Sequence, residues 1–382
     1  MDFQLSEEQK MMVQMVRDFA EKEISPRIAT LQEGEPLPAE LHKSLAELGL
    51  LGMCLPSEYG GDDRPVLEAI LAIEQLIQIS PLCSILVMQA NTGPCRIVEG
   101  YGSPELKAKI IPRVVKGEIT IAPGMTEAEA GSALTDLQTR AVLEGDHYVV
   151  NGAKLFQHTD DEFFLTYVRL TEEKGARGIG ALLIGRDYPG LTMGSPQEFM
   201  GLKSPRGEIV FDNCLVPKEN LIVSAGEFRN LISGFNLERC GNAASCLGLA
   251  QRALDLSSDY SKQRKQFGKE ICEFQAVQFM LADMLLKVEA ARLLIYRAAA
   301  NAGRGFPSPL EANLAKCFAN EMVREVVGLA LQIHGGYGYS KEYGIEKIFR
   351  DGWGWGVAGG TVQIQKITIA SQLLERRFRQ RA

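Results

Sequence analysis

Histidine is scarce in this 382-residue chain: His42, His147, His158 and His334 are the only four, and they lie far apart. No ligand spacing joins them, so no metal site is expected. Eight cysteines (Cys54, Cys83, Cys95, Cys214, Cys240, Cys246, Cys272 and Cys317) contain no Cys-x-x-Cys pair, and most are expected to be buried thiols. There is no basic run to follow a nucleic-acid backbone, and the net charge of −7 comes from mixed signs. No nucleic-acid partner is expected. Long apolar runs are missing too: none reaches the roughly eighteen residues that a membrane span needs. The amino terminus, MDFQLSEEQK, lacks a charged-then-apolar targeting pattern, which points to a cytoplasmic protein. Nucleotide-binding signatures are absent as well. No strand leads through G-x-G-x-x-G into a helix, the near match GGYGYS follows a helix instead, and there is no Walker loop or G-x-S-x-G elbow.

What is present is an ordinary globular composition, 46% apolar and 23% charged, in a chain long enough for two or three compact units. The opening predicts an amphipathic helix: Ser6 and Gln9 form a capping-box pattern, Met12, Met15, Val16 and Phe19 recur at helical spacing, and Pro26 is expected to interrupt it. LHKSLAELGLLG, VLEAILAIEQLI and SPELKAKIIPRVVKGE also read as helices, making residues 1–118 helical. From 119 to 228 the texture changes to short β-rich runs (HYVVNG, FFLTYVRL, GIGALLI, EIVFDNCLV) divided by turn residues, which predicts an antiparallel β-domain. Long helical patterns return over 229–382, the first of them running on through RKQFG. The order is therefore helical, β, helical.

Four segments in this order, LGLLGMCLPSEYGG, MTEAEAGSALTDLQTRA, RKQFGKEICEFQAVQFMLADM and LQIHGGYGYSKEYGIEKIFRD, resemble the acyl-CoA dehydrogenase family. The resemblance covers essentially the whole chain. It implies a mainly α fold with a middle antiparallel β-domain and a C-terminal four-helix bundle. It also implies non-covalently held FAD, a homotetramer or homodimer sharing flavin sites between subunits, and electron-transferring flavoprotein as electron partner. By the same resemblance Thr126 contacts the flavin ring and Ser132 lies near the pyrophosphate. Arg264, Phe267 and Gln275 match dinucleotide-binding positions, where a guanidinium fork suits phosphate oxygens. Gln332, Gly335 and Gly336 match positions that approach the dinucleotide across a subunit interface, and Thr361 and Gln363 match the last flavin contacts. Beside the flavin, Phe156 keeps the family's aromatic, while Gln157 and His158 replace an Ile-Thr pair; His158 is either a hydrogen-bond donor to the flavin or a structural residue.

The family's reaction removes an α-proton from an acyl-CoA thioester while a hydride leaves the β-carbon for flavin N5, so a positioned base is required. Many relatives carry it as glutamate in a Tyr-Glu-Gly-Thr pattern. Here the segment is Ala358-Gly359-Gly360-Thr361, with Gly359 in the glutamate's place. In a branch that includes isovaleryl-CoA and long-chain dehydrogenases the base lies instead in a Leu-Glu-Arg pattern at the start of the C-terminal helices, matched here by Leu237-Glu238-Arg239. Glu238 is thus the expected base. Gly359 is expected to donate its N–H to the thioester oxygen, with Arg239 and Gly360 beside the substrate. The glycine for glutamate is shared with crotonobetainyl-CoA reductase-like proteins, so enoyl-CoA reduction is the same site's reverse reading. Two alternatives stand beside these: a desulfinase-like flavoenzyme of this fold, disfavoured because SPLCSILVMQ carries no cation for a distal anion, and an inactive FAD-binding assembly subunit.

Overall fold

The computed structural model describes residues 4–29, 35, 37–201, 206–376 and 378. Helix α1 (Glu7–Phe19) begins at the capping box, with Ser6 Oγ accepting from Gln9 N and Gln9 Oε1 accepting from Ser6 N, both at 3.1 Å. Pro26 does not end it. The chain passes through a π-helical turn, Ala20–Ile24, and continues as α2 (Ser25–Ile28) with Pro26 in its first turn, where a missing N–H costs least. After α3 (Ala39–Glu47) and α4 (Val66–Ile77) come α5 (Pro81–Asn91), α6 (Pro94–Tyr101) and α7 (Pro104–Val115). Both α5 and α7 start from a Ser-Pro pair. The serines Ser80 and Ser103 accept from the N–H three residues on, and proline fills the first helical position. Helix α4 is buried on nearly every face and packs on α1, α5, α8 and α9, which makes it the spine of the helical core.

The middle segment forms an eight-stranded sheet: β1 (Ile121–Gly124), β2 (Arg140–Glu144), β3 (His147–His158), β4 (Phe163–Arg169), β5 (Ile179–Gly185), β6 (Leu191–Pro196), β7 (Arg206–Pro217) and β8 (Leu221–Val223). The strand order is β6-β7-β3-β2-β4-β5-β8, with β1 pairing β4. Antiparallel ladders dominate, as the turn-divided runs predict, but β1 and β2 both meet β4 in parallel. The sheet carries a core of its own around Val150, Phe164, Leu182, Ile209 and Phe211.

Three long helices follow: α8 (Phe228–Gln263), α9 (Gln275–Ala302) and α10 (Pro309–His334), then α11 (Gly336–Tyr339), α12 (Ile345–Trp355) and α13 (Val362–Leu373). Helix α8 packs on α9 and α10, while α12 and α13 close over α10. The helical pattern expected through RKQFG stops at Gln263. Lys265–Gln266 (β9) and Lys269–Glu270 (β10) form a tiny hairpin whose turn, Phe267-Gly268, has φ of +53° and +83°. Two consecutive positive φ values give the hairpin turn that matches strand twist, and they are incompatible with a helix.

Close approach of α8 to α4 depends on Gly248. A Cβ there would stand 2.2 Å from Ile77 Cγ2 and 2.4 Å from the Glu74 carbonyl oxygen, and backbone cannot step aside. Gly248→Ala is expected to destabilise the protein by about 1–3 kcal/mol through overpacking. The check is the midpoint of urea unfolding against wild type.

Candidate active site

Glu238 lies in the third turn of α8 and is half-buried. Its carboxylate accepts no hydrogen bond among the described residues. Desolvation pushes its pKa up to about 7 against the opposing pull of the Arg239 and Lys316 cations. A carboxyl group with this pKa is half-ionised near neutrality, as a general base requires. Next to it, Arg239 is buried, donates from Nη1 to Asn236 Oδ1 at 2.7 Å and lies over the Phe235 ring at 4.7 Å. Its Nε has no partner among the described residues. Tyr167 of β4, wholly buried, is within electrostatic range of both Glu238 and Arg239.

Between α12 and α13 the chain turns through Gly359 and Gly360, both left-handed at φ +67° and +87°. Their N–H groups find no acceptor among the described residues, while the Gly360 carbonyl accepts from Lys316 Nζ and Gln365 Nε2, each at 2.8 Å. A Cβ added to Gly359 would lie 3.3 Å from Lys316 Cε and 3.7 Å from Asn242 Nδ2. Since Asn242 is one turn after Glu238 on α8, the expected base and the expected thioester-oxygen donor belong to one wall. Thr361 caps α13, its Oγ1 accepting from Ile364 N at 3.3 Å, and Gln363 is exposed in the first turn.

A second group sits at the edge of the sheet. The Thr126 carbonyl accepts from Leu155 N at 2.8 Å, which fastens the loop after β1 to β3, and Ser132 is exposed on the same loop. Beneath that loop a buried ion pair joins Lys154 Nζ to Glu127 Oε1 at 2.6 Å. The same carboxylate accepts from Gln138 N and Thr139 N. At Phe156 the β3–β7 register slips, and this aromatic residue takes φ +64°, about half exposed, with its ring edge-on to Phe199. A bulky side chain in the left-handed region is a strained outlier of the kind that functional sites retain. Beside it, Gln157 Oε1 is buried and has no partner among the described residues. Arg206 Nη2 reaches His158 Nε2 at 2.9 Å; a guanidinium can only donate, so Nε2 is the acceptor and the neutral ring carries its proton on Nδ1. Burial, with Arg206 adding to it, holds this histidine well below its usual pKa.

The third group surrounds a cleft of about 600 Å³ at the far end of α8. Arg264, Gly335 and Gly336 line it together with Tyr260, His334 and Tyr337. Tyr260 stacks on His334 at 4.3 Å, and Arg264 lies over Tyr337 at 5.6 Å. His334 Nδ1 donates to Ala330 O at 2.8 Å, which fixes its tautomer. Gln332 lies in the last turn of α10, two residues before the cleft's His334. Phe267 projects from the hairpin turn with 94% of its surface exposed, and Gln275 is exposed at the start of α9. The sequence reading set Gln332, Gly335 and Gly336, but not Arg264, across a subunit boundary; the structure puts Arg264 and the glycine pair in one cleft of one chain. Arg264 caps the C-terminal end of α8, 26 residues after Glu238 and roughly 39 Å along the helix axis, so the carboxylate and the cleft are far apart.

An open cleft with a guanidinium and two glycines without side chains, a strained exposed aromatic and an orphaned buried amide oxygen are features that fit a dinucleotide. The acyl-CoA dehydrogenase N-terminal domain model matches residues 6–118, the middle domain model residues 122–214 and the C-terminal domain model residues 228–374. The chain belongs to the acyl-CoA dehydrogenase family. FAD is the cofactor of this family of oxidoreductases. The chain is 36% identical over 378 residues to a short-chain-specific acyl-CoA dehydrogenase of Clostridium acetobutylicum, covering 98% of this chain and 100% of the relative. It is 35% identical to the CarC subunit of the caffeyl-CoA reductase–Etf complex of Acetobacterium woodii, over 97% of this chain and 99% of that one. Among solved structures, butyryl-CoA dehydrogenase of Megasphaera elsdenii superposes with a TM-score of 0.93 at 34% identity, covering 98% and 100% of the two chains. An FAD complex of PigA superposes with a TM-score of 0.92 at 28% identity, covering 98% and 99%.

Four buried polar residues beside these groups escaped the sequence reading. Lys316 and Lys154 are wholly buried, as is Asn320, and Glu127 nearly so. Lys316 had a signal. It interrupts the apolar face of α10 made by Ala312, Ala315 and Ala319, where a charged residue needs a partner. Among the described residues no helix is long and apolar enough to cross a membrane, and no three or more histidine, cysteine or acidic side chains gather as a metal site.

Proposed function

We propose that this protein interconverts an acyl-CoA thioester and its α,β-enoyl-CoA with FAD, and that Glu238 handles the α-proton. The observation that carries the reading is the pairing of a half-buried Glu238, raised to about 7, with the Gly359–Gly360 turn; among the described residues the carboxylate accepts no hydrogen bond and the two consecutive N–H groups of the turn find no acceptor. A carboxylate takes the proton; fixed N–H dipoles stabilise the charge that develops on the thioester oxygen. When bound, FAD accepts the β-hydrogen as hydride, or returns it in the reducing direction. Thr126, Ser132, Phe156, His158, Thr361 and Gln363 serve the flavin end of the cofactor. Arg239 and Gly360 flank the thioester; a Cβ on Gly360 would lie 3.6 Å from Nη2 of Arg239, the residue after Glu238, which supports that assignment.

Arg264, Phe267, Gln275, Gln332, Gly335 and Gly336 serve the dinucleotide of a neighbouring copy in a homodimer or homotetramer. The long separation of the cleft from Glu238 supports this, because one cofactor does not bridge both ends of α8. Phe279, Leu286 and Leu293, exposed at every seventh residue along α9, give such a copy an apolar stripe to cover. Arg264→Ala is expected to weaken FAD binding about tenfold to a hundredfold, the loss of a charge-assisted hydrogen bond. FAD fluorescence titration of the apoprotein reads it. Electron-transferring flavoprotein is the proposed electron partner, in keeping with the Etf complex of the caffeyl-CoA reductase relative.

Anaerobic mixing with a panel of acyl-CoAs tests the whole reading. Flavin bleaching supports dehydrogenation; sulfite release from a sulfinyl acyl-CoA replaces it with desulfination, and silence toward every thioester and enoyl-CoA replaces it with a binding role.

A further inference from the structure

A lysine with no solvent exposure loses the hydration of its charge and needs compensating contacts. Lys316 has them on one side only. Its Nζ donates to Asn320 Oδ1 at 2.7 Å and to Gly360 O at 2.8 Å. Asn320 Nδ2 in turn donates to Asn242 Oδ1 at 3.0 Å and to the Trp355 carbonyl at 3.2 Å, which Asn242 Nδ2 also reaches at 3.2 Å. The ammonium, two amides and the Trp355–Gly360 turn are therefore one hydrogen-bonded unit. The third N–H of the ammonium has no acceptor among the described residues, and the lysine stem lies against the space where a Gly359 side chain would begin.

We propose that Lys316 is a positioning residue for proton abstraction: its buried ammonium is a countercharge that lets Glu238 ionise, and its bond to Gly360 O fixes the turn presenting the Gly359 and Gly360 N–H groups. The inference rests on the reading of Glu238 as base. The groups facing Glu238 are Arg239 from its own helix, Tyr167 from β4 and Lys316 from α10; those facing Lys316 are Arg239, Glu238 and Cys246 of α8 and Cys317 of α10. Arg239 engages Asn236 and the Phe235 ring, whereas Lys316 alone of the two cations also holds the turn. Burial first, with Arg239 contributing, brings the lysine down to about 7, and the Glu238 charge opposes that fall, so each ionised group favours the other.

A cation near a carboxylate lowers its pKa, so removing the cation raises it and moves the acid limb of activity to higher pH. Lys316→Gln keeps an N–H donor one bond shorter but no charge; Lys316→Arg keeps the charge. The rate of anaerobic flavin bleaching is followed against pH with butyryl-CoA, or with the thioester of the panel that bleaches wild type fastest. The acid limb in Lys316→Gln is expected to rise by a few tenths of a unit to about one unit, while Lys316→Arg keeps the wild-type limb. Asn320→Asp, nearly isosteric, lays a carboxylate on the same ammonium and is expected to raise the limb too; it serves if the lysine variants do not fold. An unmoved limb in FAD-loaded Lys316→Gln, or in Asn320→Asp, overturns the proposal. Glu238→Gln separates the two failures: if it is inactive while the limb stays put, only the role of Lys316 falls, whereas an active Glu238→Gln removes the base assignment itself.

Discussion

Glu238→Gln is expected to bind FAD as wild type does and to lose acyl-CoA-driven flavin bleaching by about 10²- to 10⁴-fold, the span that a positioned proton acceptor contributes. The substitution is nearly isosteric and removes a carboxylate without hydrogen-bond partners among the described residues, so little packing changes with it. FAD content and the flavin spectrum check the fold; stopped-flow bleaching checks the chemistry. The wild-type pH profile carries the same information. A base must be deprotonated to act, and desolvation has raised this one to about 7, so the rate is expected to climb as pH rises through about 7 and to fall below it. Retained bleaching in Glu238→Gln would pass the role to another group and leave the carboxylate as a structural residue of α8.

The largest stability effect is expected at the Glu127–Lys154 pair, which underlies the Thr126 loop. Lys154→Met strands a buried carboxylate that keeps only the Gln138 and Thr139 N–H groups, and removing one partner of a buried pair costs about 3–5 kcal/mol. In wild type, burial tends to raise the Glu127 pKa, but the lysine charge and hydrogen bonds to the carboxylate outweigh it and depress the value. That contribution to stability is present above the unfolded carboxylate pKa and is lost as pH falls through the folded value. In the variant the sign reverses. With the lysine gone, burial favours the protonated acid in the folded state, so the deficit against wild type should narrow as the solution is acidified. Urea unfolding of both proteins at neutral and mildly acidic pH measures it; an equal deficit at the two pH values would mean that the charge of Glu127 is not what the lysine offsets. FAD retention should fall in parallel, because Thr126 and Ser132 sit on the loop that the pair anchors.

The helices were legible in the chain because their signals are local. Ser6 with Gln9, and Ser80, Ser103 and Ser308 ahead of proline, each satisfy a helix N–H within three residues, so sequence alone marks where those helices begin. The turn at Phe267 was not legible. Neither it nor Phe156 is a residue that ordinarily takes positive φ, and both are held there by strand pairing. The continuation of α1 past Pro26 was hidden in the same way, since a π turn moves the proline to a position where its missing N–H is tolerated.

By itself the sequence determined the order of helical, β and helical segments and the family; the shift of the base from the place of Gly359 to Glu238 is the part of the proposal that Glu238→Gln tests. Periodicity, caps and motif order are properties of neighbours along the chain, and they survive without coordinates. Only the tertiary structure decided that Gly359 and Glu238 share a wall, that Arg264 and Gly335 share a cleft far from it, and that Lys316 stands between two helices with its charge against the Gly360 carbonyl. Those facts depend on which side chains burial brings together across dozens of residues, and it is burial that moves the glutamate and the lysine away from their ordinary pKa values.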